Sequence, residues 1–289
     1  MSLPPPPDPG HLLRRRERED AGRLLAWWRD LWRGLGELRR AMLDAIGRLL
    51  LPSERLRHPA TMTYLDVLHE GVHQFGWQLA ALVKDAQGWA LSQAAVALNS
   101  WAAMQAITQG FLADGTPLSL LGKRYAAEAV AASRKALMLP TVGHRALQHA
   151  VEPIKDRALL TARNEVYRAY RAGTLSIYRD NGEQGWYWRA ALGPRCCAVC
   201  VGLHGTFHSI DEPFASHASC RCRPVLRAPS VSGVDWFAMQ SPETQLAILG
   251  RGKLALYWSG RVTLADLIAE TDSPRWGPGR AERPLSDFV

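Results

Sequence analysis

"CCAVCVGLHGTFHSIDEPFASHASCRC", residues 196–222, contains every cysteine of the 289-residue chain and three of its nine histidines. Such a density of soft ligands is typical of a disulfide framework, a redox pair or a bound metal. The core pattern is Cys197-x2-Cys200, sixteen intervening residues, and then His217-x2-Cys220-x-Cys222. A C-x2-C turn places two thiolates on one side, and a second pair from a distant segment completes a tetrahedron. We therefore predict that sulfur atoms cross-link the two segments, so that a small fold forms there.

The second pair of ligands is predicted to come from His217, Cys220 and Cys222. In an extended segment Cys220 and Cys222 point to one face, because side chains alternate along a strand. His217 then either replaces one of them as a ligand or orients another ligand through a hydrogen bond. Cys196 is expected to point away and to pack as a small hydrophobic residue. Gly205 allows a sharp bend within the loop.

Structural zinc is the interpretation that we favour for this cluster, while disulfides, a redox pair and an unliganded cluster remain open. The first residues, "MSLPPPPDPG" (1–10), show no secretory signal, which favours a reducing compartment and counts against disulfides. The surroundings of the C-x2-C pair lack a thioredoxin-like strand and helix. No glutamate is placed as a base for catalytic zinc. The nearest candidate catalytic set is "HGTFH" (204–208) with Asp211 and Glu212.

The charge balance favours anionic partners. The net charge is +8 and the pI is about 9.5, values that suit nucleic acid, acidic protein surfaces or lipid headgroups. Most of the positive charge is arginine, which suits phosphate contacts. A GC-rich genome gives the same bias, so the composition alone does not choose a partner.

The segment that follows the proline-rich tail is predicted to be a basic amphipathic helix that ends at Pro52. Apolar residues recur at alternating spacings of four and three, which defines a heptad seam. This seam docks on another helix or on a partner subunit, lies on a membrane surface, or belongs to a phosphate-contacting arm. The predicted partner-binding residues are Leu24, Trp28, Leu31, Trp32 and Leu35.

The predicted fold class is mainly α-helical, with a small α+β module stapled by cysteine and histidine in the manner of a zinc knuckle. We divide the chain into a tail and helical arm (1–58), a helical domain (59–155), the cysteine module (156–230) and a C-terminal helical tail (231–289). Within these parts, "PSERLRHP" (52–59) is predicted to be a linker, a helix is predicted to begin after Pro153, and the aromatic run 186–188 is predicted to form a short strand. The uncharged stretch 86–113 is long enough to cross a bilayer, but a polar stripe interrupts it. We therefore expect no membrane span.

Four motifs resemble the phage Mu protein F-like head-morphogenesis family, whose members are minor head proteins of tailed bacteriophages. They are "TARNEVYRA" (161–169), "WYWRAAL" (186–192), "CAVCVGLHG" (197–205) and "HASCRC" (217–222). The segment 236–268 is similar to the one that often follows this domain. The chain departs from the family pattern at Asn164, Gly193 and Cys196. Residues 155–270 carry the resemblance, and the N-terminal half shares only its helical character.

The resemblance implies a non-enzymatic virion component that is made in the host cytoplasm and acts in head assembly. The alternatives are a zinc-dependent nuclease or toxin-like effector that carries the same module, and a free nucleic-acid-binding zinc protein. The implied partners are the portal protein and capsid or scaffold proteins, with a link to packaged DNA and its delivery. The residues that we expect to be structural within these motifs are Arg163, Glu165, Trp188 and Gly205. Zinc is the expected cofactor, held by residues of the cluster.

Overall fold

The computed structural model describes residues 9–288 except 48, 50, 98–109, 113–114, 142, 194 and 274–276. The chain divides into two compact units. We call residues 11–87 and 109–166 the helical unit, and residues 1–10, 88–108 and 167–289 the cysteine unit. Long helices and two small sheets make up the described structure. The predicted fold class is thus confirmed.

Helices α1 to α6 build most of the described part of the helical unit. Their bounds are α1 Pro9–Gly34, α2 Gly36–Ile46, α3 Pro52–Arg57, α4 Pro59–Ala97, α5 Leu121–Leu137 and α6 His144–Asp180. A 3₁₀ turn, Leu118–Leu120, leads into α5. The final parts of α4 and α6 belong to the cysteine unit.

The predicted apolar seam of α1 and α2 packs inside the helical unit. Leu24, Trp28 and Leu35 are buried in its core, and Leu31 and Trp32 pack half-buried against it. The ring of Trp28 meets Phe75 of α4 edge-on, with centroids 5.1 Å apart. Because Gly71 has no side chain, α4 can approach Leu31 closely. The seam therefore docks on another helix of the same chain, and the partner-binding role of its residues stays a prediction.

Two buried carboxylates continue the seam towards the start of α1. Glu17 Oε1 lies 2.5 Å from Arg163 Nε, so the predicted structural Arg163 has a carboxylate partner. Asp20 accepts a hydrogen bond of 2.8 Å from Arg16. Burial raises the pKa of Asp20 although the bond from Arg16 opposes this effect. These pairings satisfy charges that would otherwise be costly to bury.

Glu165 lies at the centre of a second polar contact in the helical unit. Its side chain is fully buried, and its Oε2 accepts a 2.7 Å hydrogen bond from Gln87 Nε2 of α4. Gln87 also donates to the carbonyl of Phe111 and accepts from the amide of Gly110. Glu165 and Gln87 thus connect α4, α6 and the turn at residues 110–111.

The arm and the linker differ from the sequence-based prediction. The predicted single helix is interrupted at Leu35 and ends at Ile46 rather than at Pro52. The predicted linker forms α3, whose Arg55 donates to the carbonyls of Leu49 and Leu139. The Leu139 carbonyl lies in a distant segment, so local composition gave no sign of this anchor.

Helix α6 also differs from its predicted start after Pro153. It begins at His144 and contains Pro153, although proline lacks the amide that an internal helical position uses. Leu147, Val151 and Ile154 are buried on either side of this proline. Their packing favours a continuous helix. The four-part division of the chain stays a prediction.

Short strands and helices build the described C-terminal part of the cysteine unit. The bounds are β1 Gly185–Arg189, α7 Ala198–Leu203, β2 Phe207–Ser209, β3 Arg223–Val225, α8 Gly233–Ala238, α9 Pro242–Trp258, β4 Ile268–Ser273 and β5 Gly277–Glu282. Strand β1 lies between β2 and β3, antiparallel to both. The strand expected from the aromatic run 186–188 is present.

The C-terminal tail contains both helices and a hairpin. Ser241 caps α9 by accepting a bond from Thr244, and Gly250 breaks its path with a φ of 67°. Thr263 and Asp266 form the reciprocal bonds of a capping box, but only one turn follows. The chain then enters the antiparallel pair β4 and β5. The predicted helical tail thus also contains a hairpin, because cross-strand pairing overrides the local cap.

The uncharged stretch bears on whether the chain spans a membrane. Within the described ranges, every helix is too short or too polar to cross a lipid bilayer. Residues 98–109 of this stretch lie outside those ranges.

The buried seam gives a stability prediction. Trp28→Ala is expected to lower the free energy of unfolding by about 3–5 kcal/mol, because it empties a packed site beside Phe75. Leu25→Ala, on the exposed side of α1, should cost less than about 1 kcal/mol. Urea unfolding followed by circular dichroism measures both. Equal and small effects would contradict a seam buried within the chain.

Candidate metal centre

The first half of the cluster is formed where α7 begins. Cys197 has an extended backbone conformation, and its Sγ accepts a hydrogen bond from the amide of Cys200 at 3.4 Å. One helical turn then places Cys200 beside Cys197. This is the local geometry that the C-x2-C spacing predicts.

A tight turn forms the second half of the cluster. The amide of Cys220 donates to the carbonyl of His217 at 3.3 Å. Ser219 has a φ of 65°, the left-handed conformation that a turn of this kind needs at its third residue. His217 Nδ1 lies 2.6 Å from the carbonyl of Ala218. A proton on Nδ1 makes that bond, which aims Nε2 at the cysteines.

The five predicted ligands come together in two overlapping groups. One group is Cys197, Cys200 and His217, and the other is Cys200, Cys220 and Cys222. The ligand atoms within each group all lie within 4.8 Å of one another, and Cys200 belongs to both. The separated segments around 197–200 and 217–222 therefore meet at their sulfur and imidazole atoms.

The separations suit one tetrahedral ion. His217 Nε2 lies 3.1 Å from the sulfurs of both Cys197 and Cys200, and the sulfurs of Cys200 and Cys220 are 3.7 Å apart. A Zn–S bond of about 2.3 Å sets two tetrahedral thiolates about 3.8 Å apart. The described cysteines are all free thiols rather than disulfides. The donor set and its spacing thus fit a metal ion, with four of the five residues sufficient to hold it.

Arg171 of α6 holds the second half of the cluster from outside. Its guanidinium donates to the carbonyl of Cys220 at 2.6 Å, to the carbonyl of Cys222 at 2.8 Å and to Ser216 Oγ at 2.8 Å. The same cation lies over the ring of Phe214, 4.7 Å from its centroid. The side chain is buried, so α6 fixes the backbone that carries two candidate ligands.

The contacts within the cluster shift the pKa values of Cys197, Cys220 and His217 away from their usual ranges. A hydrogen bond from Cys200 lowers the pKa of Cys197 to about 5, against the effect of burial. Burial opposes ionisation of Cys220 most strongly, yet bonds from Cys200 and Cys222 bring its pKa below the usual value. Burial lowers the pKa of His217, but bonds to Cys197 and Cys220 outweigh it and raise that pKa to about 11.

The other two thiols have raised pKa values. Neighbouring thiols, Cys196 first, raise the pKa of Cys200, and burial raises the pKa of Cys222. A divalent cation binds such a cluster by displacing these protons, so metal affinity falls as the pH is lowered.

Sequence reasoning missed one contributor to this site, Arg171. Cys196 is half-buried, packs against the neighbouring hydrophobic clusters and belongs to neither group of candidate ligands. Arg171 lies one turn beyond buried Tyr167 on α6, so helical periodicity predicts a buried position for it but does not identify its partners. The predicted structural residues Arg163 and Glu165 lie instead in the helical unit.

Trp188 and Gly205 support the sheet next to the cluster. Trp188 is fully buried and stacks on Phe214 at 4.0 Å. Its carbonyl accepts from the amide of Gly205 at 2.8 Å, and its amide donates to the carbonyl of Thr206 at 3.0 Å. Gly205 has a φ of 87°, which glycine tolerates best. Their structural roles stay predictions until they are tested by substitution.

The residues of the candidate catalytic set do not form one site: His204 makes one set of hydrogen bonds, and His208 with Glu212 makes another. His204 Nδ1 accepts from the amide of Ala190 at 3.0 Å. His208 stacks on Trp186, and its nitrogens lie 2.8 Å from Thr206 Oγ1 and 2.8 Å from Glu212 Oε1. Burial lowers the pKa of His208 despite Glu212. These contacts connect packed elements, and Asp211 is exposed outside them.

A family comparison identifies the segment around this site. Residues 101–225 match the model of a family described as Phage Mu protein F like protein. This segment is similar to that family. The match confirms the resemblance predicted from the motifs and includes all five candidate ligands, but it begins at residue 101 rather than 155 and ends before the segment 236–268. It covers less than half of the chain. Searches of curated proteins and of solved structures gave no match.

The hydrogen bonds from Arg171 to the ligand-bearing segment give a second prediction. Arg171→Ala should weaken metal binding by roughly 10–100-fold, because the carbonyls of Cys220 and Cys222 lose their donor. Competition with a coloured chelator measures the change. Arg179→Ala is the control, since that arginine donates to the carbonyl of Ile210, away from the cluster. If Arg171→Ala and Arg179→Ala bound the metal with the same affinity, Arg171 would have no role in metal binding.

Proposed function

We propose that this chain is a bacteriophage minor head protein, a non-enzymatic virion component that acts in head morphogenesis. The observation that carries this proposal is the family match over residues 101–225, which ends just beyond the cysteine cluster. A protein made in the reducing host cytoplasm can keep its thiols free for a metal. The proposed location is the assembled virion.

We propose zinc as the ion at the cluster. Thiolate and imidazole donors in a tetrahedral arrangement favour zinc among the common divalent ions. The proposed ligands are Cys197 and Cys200 together with two of His217, Cys220 and Cys222. With all four positions filled by protein donors, the ion leaves no open position for a substrate. When bound, it would supply a structural cross-link between the two segments.

The proposed protein partners are the portal and the capsid or scaffold proteins. The seam residues pack against α4, so they would support docking by fixing the arm. The exposed side of α1 carries Leu25, Arg29 and Arg33, and it would make the direct contact. Packaged DNA is a further proposed partner, consistent with the net charge of +8.

The metal proposal predicts about one zinc per chain in protein purified without added metal. Removing it with a chelator should lower the thermal unfolding temperature of the cysteine unit. Serine substitutions at the cysteines and His217→Asn, one at a time, should identify four positions whose replacement abolishes stoichiometric zinc. Cys196→Ser is the matched control and should retain the metal. Full retention in all five ligand variants would refute the proposed site.

The head proposal predicts that the protein is found in purified phage particles and co-purifies with the portal. Leu25→Asp combined with Arg29→Glu should reduce portal co-purification at least about tenfold, as truncation of a central interface residue does. Met138→Asp, at another exposed apolar position of the helical unit, is the control. Normal particles lacking the protein would contradict a virion role. If the Leu25→Asp, Arg29→Glu variant bound the portal as well as the unmodified protein, only the proposed contact through α1 would be refuted.

A further inference from the structure

The three-stranded sheet of the cysteine unit has an outer face unlike its inner one. Alternation along β1 directs Trp186 and Trp188 into the core and leaves Tyr187 and Arg189 on the other face. Strand β2 likewise buries His208 and exposes Phe207. The two faces therefore differ in chemistry, with the metal cluster behind the inner one.

An aromatic pair lies at the centre of the outer face. Tyr187 is opposite Phe207 on β2 and opposite Val225 on β3. The rings of Tyr187 and Phe207 meet edge-on with centroids 5.3 Å apart. Gly185 leaves the space in which the Phe207 ring lies along the sheet. The side chain of Phe207 is nevertheless 58% exposed, so the pair presents aromatic surface to solvent.

Arginines flank this aromatic pair. Arg189 is directly opposite Arg223 in the outer register position, and exposed Arg227 follows the end of β3. Strands β1, β2 and β3 contain no acidic residue. Within the described residues, neither Arg189 nor Arg227 forms an ion pair with a carboxylate.

We propose that this outer face binds single-stranded nucleic acid. A base would stack on Phe207 and Tyr187, because every base has a flat face that an exposed aromatic ring can cover. The guanidinium groups of Arg189 and Arg227 would contact the phosphates on either side. Aromatic rings interleaved with arginines on an open sheet suit single-stranded nucleic acid, whose bases are free to stack on them. They suit a duplex less well, because its bases are stacked inside the double helix.

This ligand class goes beyond the proposed head role and does not rest on it. It depends only on side chains of the cysteine unit, and it is tested with purified protein. Failure to bind nucleic acid would leave the virion proposal intact. Absence of the protein from phage particles would likewise not affect the proposal for the sheet face.

The test measures fluorescence anisotropy of a labelled 15-nucleotide oligo(dT) with the full metal-loaded chain at two or more salt concentrations. Phe207→Ala should weaken binding at least about fivefold, and Phe207→Trp should preserve it because stacking is retained. Arg189→Glu with Arg227→Glu should reduce the slope of log affinity against log salt by about 0.7 for each phosphate that is no longer neutralised. Met239→Ala and Arg251→Glu, at exposed positions just after α8 and on α9, are matched controls.

Several outcomes would overturn the proposed binding face. These are the absence of oligo(dT) binding at low salt, an equal weakening in the control variants, and a preference for a 15-base-pair duplex that Phe207→Ala does not alter. Tighter binding of a polyglutamate peptide than of oligo(dT) would point instead to an acidic protein. Zinc content and thermal unfolding of each variant confirm folding, and the Phe207→Trp variant keeps the test decisive if Phe207→Ala unfolds.

Discussion

Contact between the sulfur and imidazole groups of two distant segments is the constraint on which the cysteine unit depends. Its central sheet has one strand of five residues and two of three. Strands this short provide few ladder hydrogen bonds and need other support to persist. With a bound ion, the cluster would supply that support by joining the start of α7 to the turn before β3. Trp186 and Trp188 of β1 pack in the same hydrophobic cluster as Cys200, Cys220 and Cys222.

Arg171 extends this constraint from the loop to α6. Because its guanidinium binds the carbonyls of Cys220 and Cys222, the helix and the ligand-bearing segment hold one relative position. The charge also matters. A divalent ion with three thiolates has a net charge of about −1, and with four thiolates about −2, so a buried cation beside the centre offsets part of that charge. The arginine therefore contributes both backbone geometry and electrostatic balance.

The sequence indicated the candidate ligands of the cluster more completely than it indicated the helices and strands around them. Ligand spacing identified Cys197 to Cys222 because short loops impose their own geometry. The aromatic run predicted β1 for a similar reason. By contrast, Pro153 was misjudged because the buried residues around it stabilise the helix through distant contacts. The β4–β5 hairpin was missed because the capping box before it favours a helix and the pairing overrides that signal. Arg171 was missed because a helical arginine shows no partner until the loop is placed beside it.

The metal cluster and the outer sheet face are connected through one stretch of chain. Cys220 and Cys222 point inward next to β3, while Arg223 takes the opposite face. A shift of β3 by one residue against β1 would exchange the two faces. It would bring Arg223 to the core and expose the thiol of Cys222. Ligation of the cysteines therefore fixes which residues face solvent, including the position of Arg223 opposite Arg189. The ion would thus control the chemistry of a surface that it does not touch.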